Sequence, residues 1–219
     1  MRPWPFISLI GTVAVCSTFL VNLWFSSSVP KRSLPIFTTI EEDFIAVERS
    51  GQTVHIASLR GSVCAFAYLY TVCPHGCAAV VGEMSRLKET HGSRPDFQLV
   101  SVSVLPERDQ PEFFRNYAEA IGVKPTDPWW FLRAERPAME AFMTGVLKLE
   151  AAKAIPPDER FNPLEVYEHD LRIVLVDRQQ RVRGYYAVFH PQQEIANLMR
   201  ERLHSDTLTL LDEPITTTP

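Results

Sequence analysis

The chain has 219 residues, of which 46% are hydrophobic and 22% charged, proportions that are typical of a globular protein and argue against a disordered chain. Three of the 22 basic residues lie in the first 32 positions, which hold no acid, so the rest of the chain carries 19 basic against 26 acidic residues. That balance argues against a nucleic-acid groove. The four cysteines are too few for a disulfide-stapled miniprotein of this length, and the 9 glycines form no phosphate-binding loop.

The amino-terminal segment is predicted to be a membrane anchor. No charged residue occurs between Arg2 and Lys31, and residues 6–25 are almost wholly apolar. A helix of about 20 such residues spans the bilayer core and pairs its own backbone groups. A cleaved signal peptide is the alternative, but the run is long for one and no A-x-A cleavage site follows it. We therefore expect a retained transmembrane helix within residues 1–27, although the flanking charges barely discriminate its orientation.

A linker, one folded domain and a tail are predicted after the anchor. The linker is residues 28–37, the domain residues 38–205 and the flexible tail residues 206–219, which end in TTTP. Strands are predicted at residues 44–49, 53–57, 63–71, 97–104, 129–132, 171–177 and 181–188, and helices at residues 74–90, 110–121, 136–144 and 191–203. This alternation predicts an α/β sandwich with a mixed central sheet.

The most informative motif is YTVCPHGCAA at residues 70–79. Cys73 ends a predicted buried strand, Pro74 opens the next helix, and Cys77 follows four residues after Cys73. Two residues at this spacing share a helix face with Cβ atoms about 5–6 Å apart. The separation is slightly long for a relaxed disulfide, whose Cβ atoms are about 3.5–4.5 Å apart, and it suits two thiolates on one soft metal ion. Redox exchange and metal binding both remain open on the spacing alone.

A third ligand is expected to be a histidine, because thiolates select Cu(I) and imidazole completes such a site. We predict His169, which follows the irregular stretch at residues 151–168 and directly precedes a strand, so that this stretch can lie over the active helix. His75 is the alternative ligand, but its position between the cysteines is expected to face away. Cys64, inside the predicted strand, is interpreted as a buried core thiol. The remaining histidines are expected at the surface: His55, His91, His190 and His204.

Four stretches, in the same order along the chain, carry a family resemblance. They are residues 51–77 (GQTVHIASLRGSVCAFAYLYTVCPHGC), residues 101–122 with Pro-Glu-Arg-Asp at 106–109, the WWFL at 129–132, and His169 ahead of a strand that ends in Val-Asp. Over roughly residues 38–204 they resemble the Sco/SenC family of copper-binding, cytochrome c oxidase assembly proteins. The resemblance implies a thioredoxin-like fold on an N-terminal membrane anchor. It also implies one copper bound by Cys73, Cys77 and His169.

Three positions depart from the usual pattern of that family. Ala78 replaces a proline after the second cysteine, Leu105 replaces an aspartate before Pro-Glu-Arg-Asp, and His75 stands where a small or acidic residue is more usual. None of these changes removes a ligand. They mark the chain as a divergent member.

These observations lead to one main hypothesis and two alternatives. The main hypothesis is a membrane-tethered metallochaperone on the extracytoplasmic side, not an enzyme in the turnover sense. It would pass copper to a cytochrome c oxidase subunit or another copper-accepting protein. The first alternative is a thiol–disulfide oxidoreductase in which Cys73 attacks, Cys77 resolves and His169 is not needed. A peroxiredoxin-like peroxidase is weaker, because proline follows Cys73 instead of preceding it.

Overall fold

The computed structural model describes residues 33–72, 77–160, 162–164 and 166–214. The predicted anchor at residues 1–27 lies outside these ranges, and so do Cys73 and His75. Among the described residues, no helix combines the length and the apolar character that a membrane crossing requires.

Within the described ranges, ten strands build one large sheet and one small one. In chain order they are β1 (Thr38–Thr39), β2 (Ile45–Glu48), β3 (Thr53–His55), β4 (Val63–Leu69), β5 (Phe97–Ser103), β6 (Trp129–Arg133), β7 (Lys153–Ala154), β8 (Tyr167–Glu168), β9 (Arg172–Val176) and β10 (Arg181–Ala187). The large sheet has the order β1-β10-β9-β4-β5-β6-β2-β3. Its β4–β5 and β5–β6 pairs are parallel and the other pairs are antiparallel, so the predicted mixed sheet is confirmed. β7 and β8 pair with each other within the stretch that was expected to be irregular.

Strand β4 is the centre of the core, and all seven of its residues are buried. Its side chains alternate between the two faces of the sheet, as the period of a strand requires. Ala65 and Leu69 belong to the cluster on one face, whereas Phe66 and Tyr68 belong to the cluster on the other. A strand buried on both faces is continuously apolar, which explains the run that made β4 predictable. The strand ends at Leu69, two residues before the predicted end.

Helices cover both faces of the sheet. They are α1 (Cys77–His91), α2 (Pro111–Ala120), α3 (Arg136–Glu140) and α4 (Gln193–Leu211). Apolar side chains of α1, α2 and α4 pack in the cluster that contains Leu69. The cluster on the other face contains Met139 of α3 and Phe142 of the π-helix Ala141–Val146, which follows α3 directly. The predicted helix at residues 136–144 is therefore a short α-helix, Arg136–Glu140, that continues as the π-helix Ala141–Val146.

Two predicted boundaries near the chain ends were wrong. The last helix continues to Leu211, eight residues beyond its predicted end, so residues 206–211 are helical and not part of the tail. Asp206 and Thr207 are buried in this extension, and the Asp206 carboxylate accepts a 2.8 Å hydrogen bond from the Tyr186 hydroxyl. At the other end, Leu34, assigned to the linker, is buried, and its carbonyl accepts a 2.7 Å hydrogen bond from Arg183.

Candidate metal site

The sheet topology brings the start of α1 and the segment before β9 to one edge. The edge where β4 ends is also the edge where β9 begins, because β4 and β9 are antiparallel neighbours with Cys64 opposite Val176 and Phe66 opposite Val174. Cys77 begins α1 on the chain that leaves this edge of β4. His169 lies three residues before β9. Residues that are 92 positions apart in the sequence are therefore placed together by the order of the strands.

Cys77 and His169 are in direct contact in the structure. The Cys77 Sγ and His169 Nε2 atoms are 2.8 Å apart. Cys77 is buried and the imidazole is half-buried, so the pair lies just below the surface. A sulfur and an imidazole nitrogen that face each other in this way form two of the donors that a soft metal ion requires.

The backbone orients the imidazole of His169. Its Nδ1 lies 2.9 Å from the carbonyl oxygen of Asp170, which can only accept a hydrogen bond. Nδ1 is therefore assigned as the protonated nitrogen, and the lone pair of neutral imidazole is on Nε2, toward Cys77. This is the arrangement that metal-binding histidines adopt when a second group fixes their tautomer.

An ion pair beside His169 fixes the backbone that carries it. The Asp170 carboxylate accepts hydrogen bonds from the Arg172 guanidinium at 2.9 and 3.0 Å and from the backbone amides of Glu150 and Arg172, each at 2.9 Å. Burial would raise the pKa of Asp170, but these donors and the positive charge of Arg172 lower it below its usual value. Asp170 is therefore held as a carboxylate and braces the segment that carries His169.

Two tyrosines of β4 and its end pack against the imidazole. The ring centroids of Tyr68 and Tyr70 lie 5.8 and 6.1 Å from that of His169, both in edge-on geometry. The Tyr70 hydroxyl also donates to the carbonyl of Leu164 and accepts a 2.9 Å hydrogen bond from the amide of Val166. Tyr70 thus ties the segment before β8 to the end of β4. The sequence does not reveal this role, because an aromatic strand residue gives no sign of a distant backbone partner.

The remaining predicted site residues have different outcomes. Cys73 and His75 lie outside the described residues, so the three-ligand set stays a prediction. Cys64 is buried, and burial raises the pKa of its thiol, as expected for a core cysteine. Among the described residues, no cluster of three or more histidine, cysteine or acidic side chains forms a metal site.

Two of the histidines expected at the surface are not fully solvated. His91 is buried, with its ring 5.5 Å from that of Phe97. Nε2 of the half-buried His204 lies 2.8 Å from the buried carboxylate of Glu83. Both belong to the packing between α1 and α4, a role that their sequence positions beside polar residues did not reveal.

A surface cavity of about 290 Å³ gives access to the imidazole side of the site. Its walls include His169, the exposed Phe189 and the side chains of Glu168 and Lys153. The cavity therefore opens to the surface next to His169.

Comparison with known proteins identifies the family. The SCO1/SenC family model matches residues 35–204. A SCO2-like protein of Rickettsia typhi is 26% identical over 119 residues, which cover 51% of this chain and 58% of that protein. The SCO1 homologue of Bacillus subtilis is 29% identical over 92 residues, or 42% of this chain and 47% of the relative. The chain thus spans about half the length of the curated relatives it matches.

Solved structures show the same fold. ScoI of Bradyrhizobium japonicum, solved with copper bound, superposes with a TM-score of 0.58 at 22% identity, covering 75% of this chain and 99% of that one. BsSco, described as a cytochrome c oxidase assembly protein with a disulfide switch, gives 0.64 at 21% identity, covering 84% and 100%. The predicted thioredoxin-like fold with a mixed sheet is confirmed. From the family match and this common fold, we conclude that the chain belongs to the SCO1/SenC family.

Proposed function

We propose that this protein is a membrane-anchored copper chaperone that binds one copper ion through Cys73, Cys77 and His169. The observation that carries the proposal is the 2.8 Å contact between Cys77 Sγ and His169 Nε2. Two thiolates and one imidazole are a soft donor set that suits Cu(I). Related proteins support the choice of metal, since the ScoI proteins of Bradyrhizobium japonicum and Arabidopsis thaliana and the yeast Sco1 protein have been solved with copper bound.

The proposed recipient is a copper-accepting subunit of cytochrome c oxidase. BsSco is described as a member of a family that assembles this oxidase, and its disulfide switch suggests how copper release is controlled. Thiol–disulfide exchange with a partner would convert the partner's disulfide into two thiols while Cys73 and Cys77 form their own disulfide. The two thiolates would then be lost as ligands, and the copper would be transferred. The cavity beside His169 offers the surface on which such a partner would approach.

The anchor and its sidedness are part of the same proposal. The apolar residues 6–25 support a transmembrane helix, and a SCO1/SenC family relative from Bacillus anthracis is described as a lipoprotein. A membrane-tethered domain on the extracytoplasmic side would bring the copper site to the face of the oxidase that receives copper.

Copper titration of the reduced, purified full-length chain tests the proposal. We expect about one Cu(I) per wild-type chain, at least a tenfold loss of affinity for His169→Ala, and no stable binding for Cys77→Ser. His55→Ala is the matched control, because His55 is exposed on β3 and its imidazole pairs with Asp43, at 2.6 Å. Unchanged binding in His169→Ala would contradict the three-ligand site.

The alternative function is thiol–disulfide exchange by the same cysteine pair without a metal. It rests on the spacing of the two cysteines, with Cys73 as the attacking and Cys77 as the resolving thiol, and on the position of Cys77 at the start of α1. Catalytic reduction of a protein disulfide by His169→Ala at the wild-type rate, together with weak copper binding by the wild type, would favour this alternative.

A further inference from the structure

A cavity of about 590 Å³ lies at the edge of the sheet opposite the candidate metal site. Its walls come from the end of β2, from α2 and from the segment that leads into β6, and we call it the β2–α2 cavity. Strands β4, β5 and β6 are parallel, so β6 begins at the edge where β4 begins, whereas Cys77 follows the end of β4. A concave space of this size falls in the range of about 300–1,000 Å³ that small-molecule sites occupy.

Three cationic residues from three separate segments line the β2–α2 cavity. Arg49 follows β2 directly, Arg115 lies on α2, and Lys124 lies in the segment before β6. The Arg49 Nη2 donates to the carbonyl of Lys124 at 2.9 Å, and the Arg115 Nη1 donates to the carbonyl of Arg49 at 2.9 Å. These hydrogen bonds join the three segments to one another. The cavity is therefore formed before a ligand arrives, which lowers the ordering cost of binding.

The positive charge of Arg49 is only partly compensated. The residue is 6% exposed, its Nε lies 3.4 Å from the Glu48 carboxylate, and its guanidinium lies over the Phe131 ring at 5.0 Å. The same carboxylate also accepts a 2.7 Å hydrogen bond from the amide of Ser50. Among the described residues, the buried Nη1 of Arg49 has no hydrogen-bond partner. Burial lowers the pKa of Arg49, against the opposing charges of Glu48 and Asp127. An anion in the cavity would relieve this imbalance through its charge.

The other two cations are exposed and available to a ligand. Within the described ranges, neither the Arg115 guanidinium nor the Lys124 ammonium group forms an ion pair. Glu119, also exposed, is the acidic residue that lines the cavity beside them, since the buried carboxylate of Glu48 is paired with Arg49. Positive charge thus exceeds negative charge along the walls. This local excess stands out in a chain that is acidic beyond its first 32 residues.

The cavity also has an apolar surface. Ala118 of α2 and Val123 line it, and both are buried members of the cluster that contains Leu69. A bare inorganic anion would leave this surface uncovered. A carboxylate on a compact apolar body matches both parts, because an arginine fork binds carboxylate oxygens well and the body removes apolar surface from water.

We propose that the β2–α2 cavity binds a small organic carboxylate. Its carboxylate group is held by Arg115 and Lys124 beside the buried charge of Arg49, and its apolar body lies against Ala118 and Val123. The cavity shares no lining residue with the cavity beside His169, so the proposal does not depend on copper binding.

Titration of the full-length chain in a neutral detergent with benzoate tests the proposal. Benzyl alcohol has the same apolar body without the charge, and acetate has the charge without that body. We expect saturable binding of benzoate and binding at least about tenfold weaker for each comparator. Amide chemical shifts should change at Ser50, Gly122 and Lys124 and stay unchanged at His169. Absence of saturable benzoate binding, or equal affinity for benzyl alcohol, would overturn the proposal.

Charge variants locate the binding site. Lys124→Gln is decisive, because the Lys124 ammonium group makes no hydrogen bond to the described residues and its loss should not disturb the fold. We expect benzoate affinity to fall at least about threefold in Lys124→Gln and at least about fivefold in Arg115→Gln, and to rise about twofold in Glu119→Gln. Arg202→Gln, at an exposed position on α4, is the matched control and should leave the affinity unchanged. Unchanged affinity in Lys124→Gln, or an equal loss in Arg202→Gln, would overturn the proposal.

Discussion

Two aspartates at opposite edges of the same strand pair are held in contrasting ways. Asp96, just before β5, accepts hydrogen bonds from Arg94 at 3.0 Å and from Arg178 at 2.5 Å. The pKa of Asp96 is lowered to about 2, mainly by the hydrogen bond from Arg94. The hydrogen bond from Arg178 adds to this effect, and burial opposes it. Asp109, at the other edge, has hydroxyl donors instead of arginines, and burial raises its pKa.

The Asp96 edge of the sheet stabilises the fold, whereas the Asp109 edge lies beside the candidate metal site. At the Asp96 edge, Arg178 also donates to the carbonyls of Leu210 and Leu211, at 2.7 and 2.9 Å, and so closes the end of α4. Arg178 thus pairs its buried charge with Asp96 and also gives hydrogen-bond donors to the carbonyls at the end of α4. At the Asp109 edge, a buried carboxyl group accepts hydrogen bonds from two hydroxyls next to the segment that leads to Cys73. Costly local arrangements of this kind are expected where function constrains the sequence.

The largest expected effect comes from breaking the Asp96 edge. Arg178→Ala removes a buried guanidinium that donates to Asp96 and to the carbonyls of Leu210 and Leu211, while the hydrogen bond from Arg94 to Asp96 remains. We expect a loss of about 2–3 kcal/mol in the free energy of unfolding, because the substitution deletes several hydrogen bonds of a buried charged group. Urea unfolding measures this loss. Copper bound per folded chain should be unchanged. A selective loss of copper would contradict the assignment of the Asp96 edge to fold stability.

An intermediate effect is expected from pH, with opposite signs at the two edges. A carboxyl group with a lowered folded-state pKa adds stability above its usual pKa, so the contribution of Asp96 is lost as the pH falls from 3.8 toward about 2. The raised pKa of Asp109 has the opposite consequence, because protonation relieves the buried charge as the pH falls. We expect the destabilisation by Asp96→Asn to shrink by about 1–2 kcal/mol between neutral and strongly acidic pH, after allowance for solvent screening.

The same unfolding series on Asp109→Asn provides the contrast. Its destabilisation should grow as the pH falls, because the wild-type protein gains a neutral carboxyl group that hydrogen-bonds well, while the amide does not titrate. Parallel pH profiles for the two variants would contradict the proposed difference between the edges.

The smallest expected effect is that of salt. Raising the ionic strength from about 0.1 M to about 1 M shortens the Debye length from about 10 Å to about 3 Å. Because Asp96 is partly exposed and paired with arginines, the destabilisation by Asp96→Asn should fall by about 0.3 kcal/mol. Asp109 is buried and forms no ion pair in the described part of the chain, so Asp109→Asn should show a smaller salt dependence in the same urea titrations.

The central sheet was predictable because its patterns are local. The apolar run of β4 and the two hairpins have the period and the turn residues that strands show, and the helix after β5 begins at Pro111. The approach of His169 to Cys77 was predicted from its position after the irregular stretch and from the family resemblance, and the antiparallel pairing of β9 with β4 gives its physical reason.

Features that depend on buried polar contacts were not predictable in this way. The end of α4 was placed too early because Asp206 and Thr207 look like solvent-facing residues, whereas Asp206 is buried against Tyr186. Asp109 gave no sign of burial, since its partners Thr71 and Ser103 lie 38 and 6 residues away and are ordinary loop and strand residues in sequence. Such contacts arise only when the strands have been placed.

X-ray absorption spectroscopy of the Cu(I)-loaded, full-length protein tests the central claim most directly. The account predicts a first coordination shell of two sulfur atoms and one imidazole nitrogen, with the nitrogen contribution lost in His169→Ala and kept in His55→Ala. A shell of sulfur alone, or a nitrogen signal that survives His169→Ala, would contradict it.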